Sequence, residues 1–497
     1  MDRQDLCLCV FVVIIGFSIY LPALGARPLR PMDEGIYAVA AQNLLDGGAW
    51  LGPHFGWHGS TKISGPFLEK PPLVIWLEAI ALSIFGSESL TAVRLPATLA
   101  AVATGTVTAL IGIREADWRH GLAAGLLALT LPPLLLYGHG GRYGSTDVLL
   151  TLFGTVFVYA VWQLSLGESG RWPVIAGCAA GLAVMTKGVA AGQFLVVLFP
   201  VALVRWRALV RRDVVLGGII AVVVALPWHL IAFFRYGDEF VRQYWLDQVV
   251  ARSQGQLGSP AYGEPLFGFM NYPYLQQAFS YPFPSGAFGL VYLGLIAFAA
   301  VVCVYRIRTG RDWEFWAWCW WWAVAIPITF SLAGGDHAWY LIPMVVPLAL
   351  LLAMGPAEIF DQLPATIPNK GLDATFVLSG LIAVVVIIAL ANPYAAGVRG
   401  ASQDQADLAP VLNSELPEEA TIVYPEHVVG QHRLFETDFY AGPEENLRQV
   451  ATEEQWEHPW VLTTDAPPST CKTVWNGRQT NLRLVQCDVA PASVSGL

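Results

Sequence analysis

From Asp213 to Phe234 the chain reads DVVLGGIIAVVVALPWHLIAFF. No charged residue follows Asp213 until Arg235, while Arg211 and Arg212 stand just ahead of the run. A helix rises about 1.5 Å per residue, so residues 214–234 cover the roughly 30 Å of a bilayer's hydrocarbon core. This one stretch decides the fold class, because similar apolar runs recur from about residue 7 to residue 392. The chain of 497 residues is 55% hydrophobic and only 13% charged, a composition that needs the bilayer as its solvent.

The runs predict about eleven membrane helices, near 7–26, 93–113, 121–137, 148–166, 173–186, 188–205, 214–234, 284–305, 313–333, 338–355 and 374–392. Alternate loops then hold Arg114 with Arg119, Arg171, the Arg205–Arg212 cluster, Arg306 with Arg308 and Arg311, and Lys370. Positively charged loops stay in the cytoplasm, which puts the N-terminus inside and the C-terminal segment outside. The first 26 residues resemble a signal peptide, but no small-residue cleavage motif follows, so they are read as an uncleaved first helix. The run from Pro72 to Gly86 is too short to cross and would break the charge alternation. It is read as a helix lying at the interface, with Trp76 at that level. The six tryptophans between Trp313 and Trp322 suit, in part, an interfacial belt.

Composition changes after residue 392. Residues 393–497 hold 15 acidic side chains against 6 basic ones, nearly all of the net charge of −10. Nothing there is long and apolar enough to span a membrane, and Thr421–Tyr424 and Trp460–Thr463 read as short strands. The division is therefore an all-α polytopic membrane domain over 1–392 and a small α/β extracytoplasmic domain over 393–497. Cys471 and Cys487 are the only cysteines of the tail, and an oxidising compartment would join them. The other five cysteines lie in apolar segments as small buried side chains. An acidic chain without a basic cluster excludes a nucleic-acid partner.

Under this topology the outer face collects the polar residues able to carry chemistry. Asp33 and Glu34, with Tyr37 one turn on, follow the first helix. A carboxylate there can serve as a general base, or the pair can be solvated loop charges or a helix cap. Glu69 and Lys70 precede Pro71 and Pro72 at the start of the interfacial helix. Prolines supply no N–H, so Lys70 can provide the positive potential that a phosphate needs, or it can snorkel to lipid headgroups. Arg142 and Asp147 stand before a long apolar run, where Asp147 is either an active-site carboxylate or a helix cap. Lys187 sits at a tip between two helices. His229, the charged loop around Arg252, and Asp336-His337 ahead of Tyr340 are further candidates, of which no His or Cys spacing has the pattern of a zinc site.

Taken in order, Asp33-Glu34 with Tyr37, Lys70-Pro71-Pro72-Leu73 with Trp76, Arg94-Leu95-Pro96, Arg142 with Asp147, Lys187-Gly188 and Tyr340-Leu341-Ile342-Pro343 with Pro347 resemble the GT-C superfamily. The similarity is to the branch of the protein O-mannosyltransferases and the lipid A aminoarabinose transferase, and it covers residues 1–355. It implies an outward-facing active site, a polyprenyl-phosphate sugar as donor, inversion at the anomeric carbon, and a lipid, glycan or protein acceptor among membrane lipids. Asp33 matches the first-loop acid, with Glu34 beside it, Asp147 the second acid, and Lys70 the lysine on the donor phosphate, where Arg142 and Tyr37 are further ligands. Glu69 matches a carboxylate that in some members helps hold a divalent metal ion, the one possible cofactor. The histidine expected near 247–252 is not evident. Ile36 stands where aminoarabinose transferases carry Arg, so the resemblance assigns neither that sugar nor a lipid A acceptor. A transporter or flippase is the alternative from another class. It would show inverted repeats and charges at helix midpoints, and neither is seen.

Overall fold

The computed structural model describes residues 3–29, 33–48, 50–55, 65–136, 138–251, 287–310, 313–333, 337–362, 407–408, 411–412, 422–425, 447–450, 454–478 and 481–488. The chain divides into two compact units. The first comprises residues 1–22, 68–74 and 95–395, and the second residues 23–67, 75–94 and 396–497.

The helices run α1 (Arg3–Tyr20), α2 (Asp33–Gly47), α3 (Leu73–Phe85), α4 (Leu90–Glu115), α5 (Trp118–Thr130), α6 (Asp147–Ser165), α7 (Trp172–Lys187), α8 (Gln193–Leu209), α9 (Arg212–Tyr236), α10 (Ala287–Thr309), α11 (Glu314–Ala333) and α12 (Val345–Gln362). Among the described residues, five helical stretches are long and apolar enough to cross a membrane: Arg3–Tyr20, Leu90–Glu115, Asp147–Ser165, Trp172–Leu209 and Arg212–Tyr236. The chain is an integral membrane protein. Along α9, Val215, Ile219, Val222, Val223 and Phe234 are exposed, an apolar surface that only lipid or another apolar partner satisfies. The expected crossing at 374–392 lies outside the described residues.

Inside the first unit the helices pack through small residues, as membrane helices do when lipid removes the hydrophobic incentive to associate. The sequence Gly121-Leu-Ala-Ala-Gly125 on α5 lies against α4, where a Cβ added at Gly125 would sit 2.7 Å from that of Ala109. Helix α7 contacts both α6 and α9, and α12 contacts α5.

Four expectations change. Asp33 and Glu34 do not stand in a loop but open α2, whose Val39, Ala40, Ala41 and Leu44 are buried. The expected helix over 121–137 stops at Thr130, because Pro132 and Pro133 supply no N–H to continue it. The expected span from residue 338 starts instead as a 3₁₀ turn, Ala338–Met344, around Pro343, and α12 follows it. Finally, Trp316, Trp318 and Trp322 do not line an interface. They are buried, with Trp318 Nε1 donating to the Val197 carbonyl at 3.0 Å and its ring stacked on Trp162 at 4.9 Å. The Pro72–Gly86 segment does form one helix, α3, of thirteen residues, about 20 Å and too short for the hydrocarbon core.

The second unit holds the strands β1 (His54–Phe55), β2 (Gly65–Pro66), β3 (Ile422–Pro425), β4 (Leu447–Val450), β5 (Trp460–Thr463), β6 (Cys471–Asn476) and β7 (Arg483–Cys487). The tail forms a five-stranded sheet in the order β4-β3-β5-β7-β6, with β4, β3 and β5 parallel and β7 and β6 antiparallel. One core gathers Leu408, Ile422, Tyr424, Trp460, Leu462 and Leu484. Cys471 and Cys487 face each other across β6 and β7 and are joined by a disulfide.

Candidate active site

In the first unit the acidic centre is Asp147, the first residue of α6 and buried. Thr146 takes the N-cap position, so capping is not what holds this carboxylate. Its Oδ1 accepts from Lys187 Nζ at 2.5 Å and its Oδ2 lies 3.0 Å from His139 Nδ1. Helix α7 ends at Lys187 because Gly188 adopts φ 57°, a turn that costs glycine little and would strain another residue. That turn directs the lysine back to Asp147 and over the Tyr340 ring, 4.6 Å from its centre.

His139 escaped the sequence reading. Its backbone is left-handed at φ 67°, an uncommon state for a residue with a side chain. Its ring is stacked between Tyr143 at 4.8 Å and Trp339 at 4.2 Å, and His337 stacks on Trp339 in turn at 4.4 Å. The available signal was its glycine-flanked turn eight residues before Asp147.

Beside this cluster lies a cavity of about 300 Å³ whose wall is mostly apolar. Its polar lining includes Glu69, Lys70, Lys187, Tyr244, Gln248 and Tyr340. His229 supports this wall from behind. Its Nδ1 donates to the Ala225 carbonyl at 2.8 Å, leaving Nε2 to accept from the Tyr244 hydroxyl at 2.9 Å. Burial raises the Tyr244 pKa above the usual tyrosine range, so the hydroxyl keeps its proton.

Arg142 is reassigned. It was expected on a phosphate, but its guanidinium donates to the carbonyls of Ile19, Tyr20 and Pro22 at 3.0, 3.0 and 2.7 Å. It closes the C-terminal end of α1, where free carbonyls and the helix dipole favour a cation.

In the second unit Asp33 opens α2 and accepts from the Tyr37 hydroxyl, one turn on, at 3.2 Å. Tyr37 is buried and so positions Asp33; it is not an evident phosphate ligand. Glu34 is likewise corrected from a catalytic to a structural role. It is fully buried and receives two hydrogen bonds from Arg94, at 2.8 and 3.0 Å. Arg94 spends its other N–H groups on the carbonyls of Leu24, Arg27 and Pro28, stitching the chain ahead of α2. Asp33 is only partly buried. Glu78 on α3 is fully buried, neither carboxyl oxygen has a hydrogen-bond partner among the described residues, and burial, then the Glu34 charge, raises its pKa well above the carboxylate range.

The metal expectation rested on Glu69. Glu69 Oε2 accepts from the Gln248 amide at 2.8 Å, and among the described residues no group of three His, Cys, Asp or Glu side chains converges to hold an ion. Arg252 lies outside the described residues.

Residues 69–231 match the family described as dolichyl-phosphate-mannose-protein mannosyltransferase. The undecaprenyl phosphate-alpha-4-amino-4-deoxy-L-arabinose arabinosyl transferase of Enterobacter sp. (strain 638) is 27% identical over 402 residues, 76% of this chain and 65% of the relative. The similarly named transferase 1 of Sodalis glossinidius is 29% identical, over 76% of this chain and 64% of its own length. The chain thus spans just under two thirds of the curated relatives it matches. ArnT from Cupriavidus metallidurans, solved with undecaprenyl phosphate, superposes with a TM-score of 0.73 at 18% identity, covering 97% of this chain and 98% of that one. The oligosaccharyltransferase of Archaeoglobus fulgidus gives 0.54 at 14% identity, over 91% and 65%. The likeness to these two structures shows that the apolar helix bundle shares their fold. In sequence the chain is similar to the two arabinosyl transferases named above.

Proposed function

We propose that this protein is an inverting glycosyltransferase that moves a sugar from a polyprenyl phosphate to a lipid, glycan or protein acceptor. The observation that carries the reading is that Lys70 and Lys187 line one cavity whose remaining wall is mostly apolar. A phosphate on an isoprenoid tail has both properties, a compact negative charge and a long apolar body. Asp33 takes the proton from the acceptor hydroxyl as its oxygen attacks the anomeric carbon. The bond from that carbon to the phosphate oxygen breaks on the opposite side, and the phosphate departs with the bonding pair. Lys70 and Lys187 stabilise its charge, which grows in the transition state. Asp147 and His139 fix Lys187 in place.

The orientation belongs to the same proposal. The membrane is the bacterial inner membrane, the N-terminus is cytoplasmic, and the reaction takes place at the outer face. Residues 393–497 form a soluble extracytoplasmic domain behind a membrane domain over 1–392. The basic loops support this reading. The test is binding of bare undecaprenyl phosphate to the purified protein. Lys70→Ala should weaken it about tenfold or more, the share of a charge-assisted contact. Equal affinity in the variant and the parent would remove the phosphate assignment.

A further inference from the structure

The segment that carries Lys70 is held by an unusual piece of helix. Val241–Ala251 is a π-helix, in which hydrogen bonds run between residues five apart. Residues five apart therefore stack along one face, where an α-helix would align residues three and four apart. On the outer face Arg242 meets Asp247 in this register, at 3.0 Å. On another face the register aligns Gln243 with Gln248, and both meet the segment 68–69. Gln243 Oε1 accepts from the Leu68 N–H at 2.9 Å, and Gln248 Nε2 donates to Glu69 Oε2 at 2.8 Å. The orientation of each amide is set by its partner. Gln243 also donates to Glu239, and a carbonyl turned toward the Glu69 carboxylate would be repelled.

Lys70 follows directly, and after it come Pro71 and Pro72, whose rings fix φ. The lysine is thus bounded on one side by two amide contacts and on the other by two stiff residues. Gln248 itself lines the cavity with Lys70.

We infer that Gln243 and Gln248 are positioning residues that latch the 68–70 segment by direct hydrogen bonds, without a metal ion, and so aim Lys70 at the phosphate of the lipid-linked donor. This rests on the phosphate reading proposed above. The latch explains why the π register is useful here: an α-helical 241–251 would turn one amide away from residues 68–69.

The experiment measures binding of bare undecaprenyl phosphate to purified, folded protein with chelator present. Gln248→Glu sets two carboxylates against each other and should lower affinity about tenfold. The exchanged pair Glu69→Gln with Gln248→Glu restores an amide facing a carboxylate and should recover affinity to within about twofold. In a Lys70→Ala background Gln248→Glu should change affinity less than about twofold, since the latch acts through that lysine. No binding by the parent protein in any condition would overturn the phosphate reading itself, and the inference with it. If the parent binds only without chelator, the metal-free latch is wrong. If the parent binds with chelator but the exchanged pair stays as weak as Gln248→Glu, or the full loss persists without Lys70, the positioning role is wrong.

Discussion

Asp147 and Lys187 form a buried ion pair, with side chains only 3% and 8% exposed, and the consequences of breaking it can be worked out. Asp147→Asn leaves an ammonium in a site shielded from water, over the Tyr340 ring. Removing one partner of a buried pair costs about 3–5 kcal/mol, because the surviving charge keeps its desolvation penalty. An unfolding entropy of about 2.1 cal/mol/K per residue makes each kcal/mol worth about 1 °C over 497 residues, so this lowers the melting temperature by about 3–5 °C. Lys187→Met should cost less, since His139 Nδ1 still lies 3.0 Å from the carboxylate and partners it. The double variant, neutral on both sides, should be more stable than Asp147→Asn alone, because no uncompensated charge remains. Thermal unfolding of the detergent-solubilised variants, followed by intrinsic tryptophan fluorescence, reads all three. If the double variant loses the sum of the two single losses, the groups are uncoupled and the reasoning is wrong.

Glu78 predicts a pH dependence. Its folded-state pKa lies above the unfolded value, so the folded state binds the proton more tightly. The stability it contributes is fully present below the unfolded pKa of about 4.3 and is lost as pH rises through the raised folded value. Glu78→Gln should flatten that part of the melting-temperature profile, and an unchanged slope would show that another group titrates. For the topology, a cysteine in the tail should be labelled from outside intact cells and one beside Arg211 should not. Labelling near Arg211 would overturn the orientation.

The membrane helices were legible because lipid imposes one requirement, about 20 apolar residues in a row, and the 212–236 stretch meets it without help from the rest of the chain. The disulfide was legible because the tail holds only two cysteines. What escaped depends on contacts distant in sequence. Arg142 read as a phosphate ligand because an arginine near an acid in an outer loop has that look. Only the folded chain brings the end of α1, more than a hundred residues away, to its guanidinium. Glu34 could not be told from Asp33 by sequence, yet Arg94 engages Glu34, while Asp33 accepts from Tyr37. Helix α2 went unread because its start carries two acids and its apolar run is short. The π register of 241–251 has no simple sequence signature at all, and it decides which glutamines meet residues 68 and 69.

The most direct test of the central claim is sugar transfer by the purified protein, given a matched polyprenyl-phosphate sugar and an envelope extract as the acceptor source. Release of bare polyprenyl phosphate should require the acceptor. Asp33→Asn, which keeps the size and helix start but not the basicity, should slow it by about a hundredfold to ten-thousandfold while the donor still binds. Transfer by Asp33→Asn at the parent rate would contradict the account.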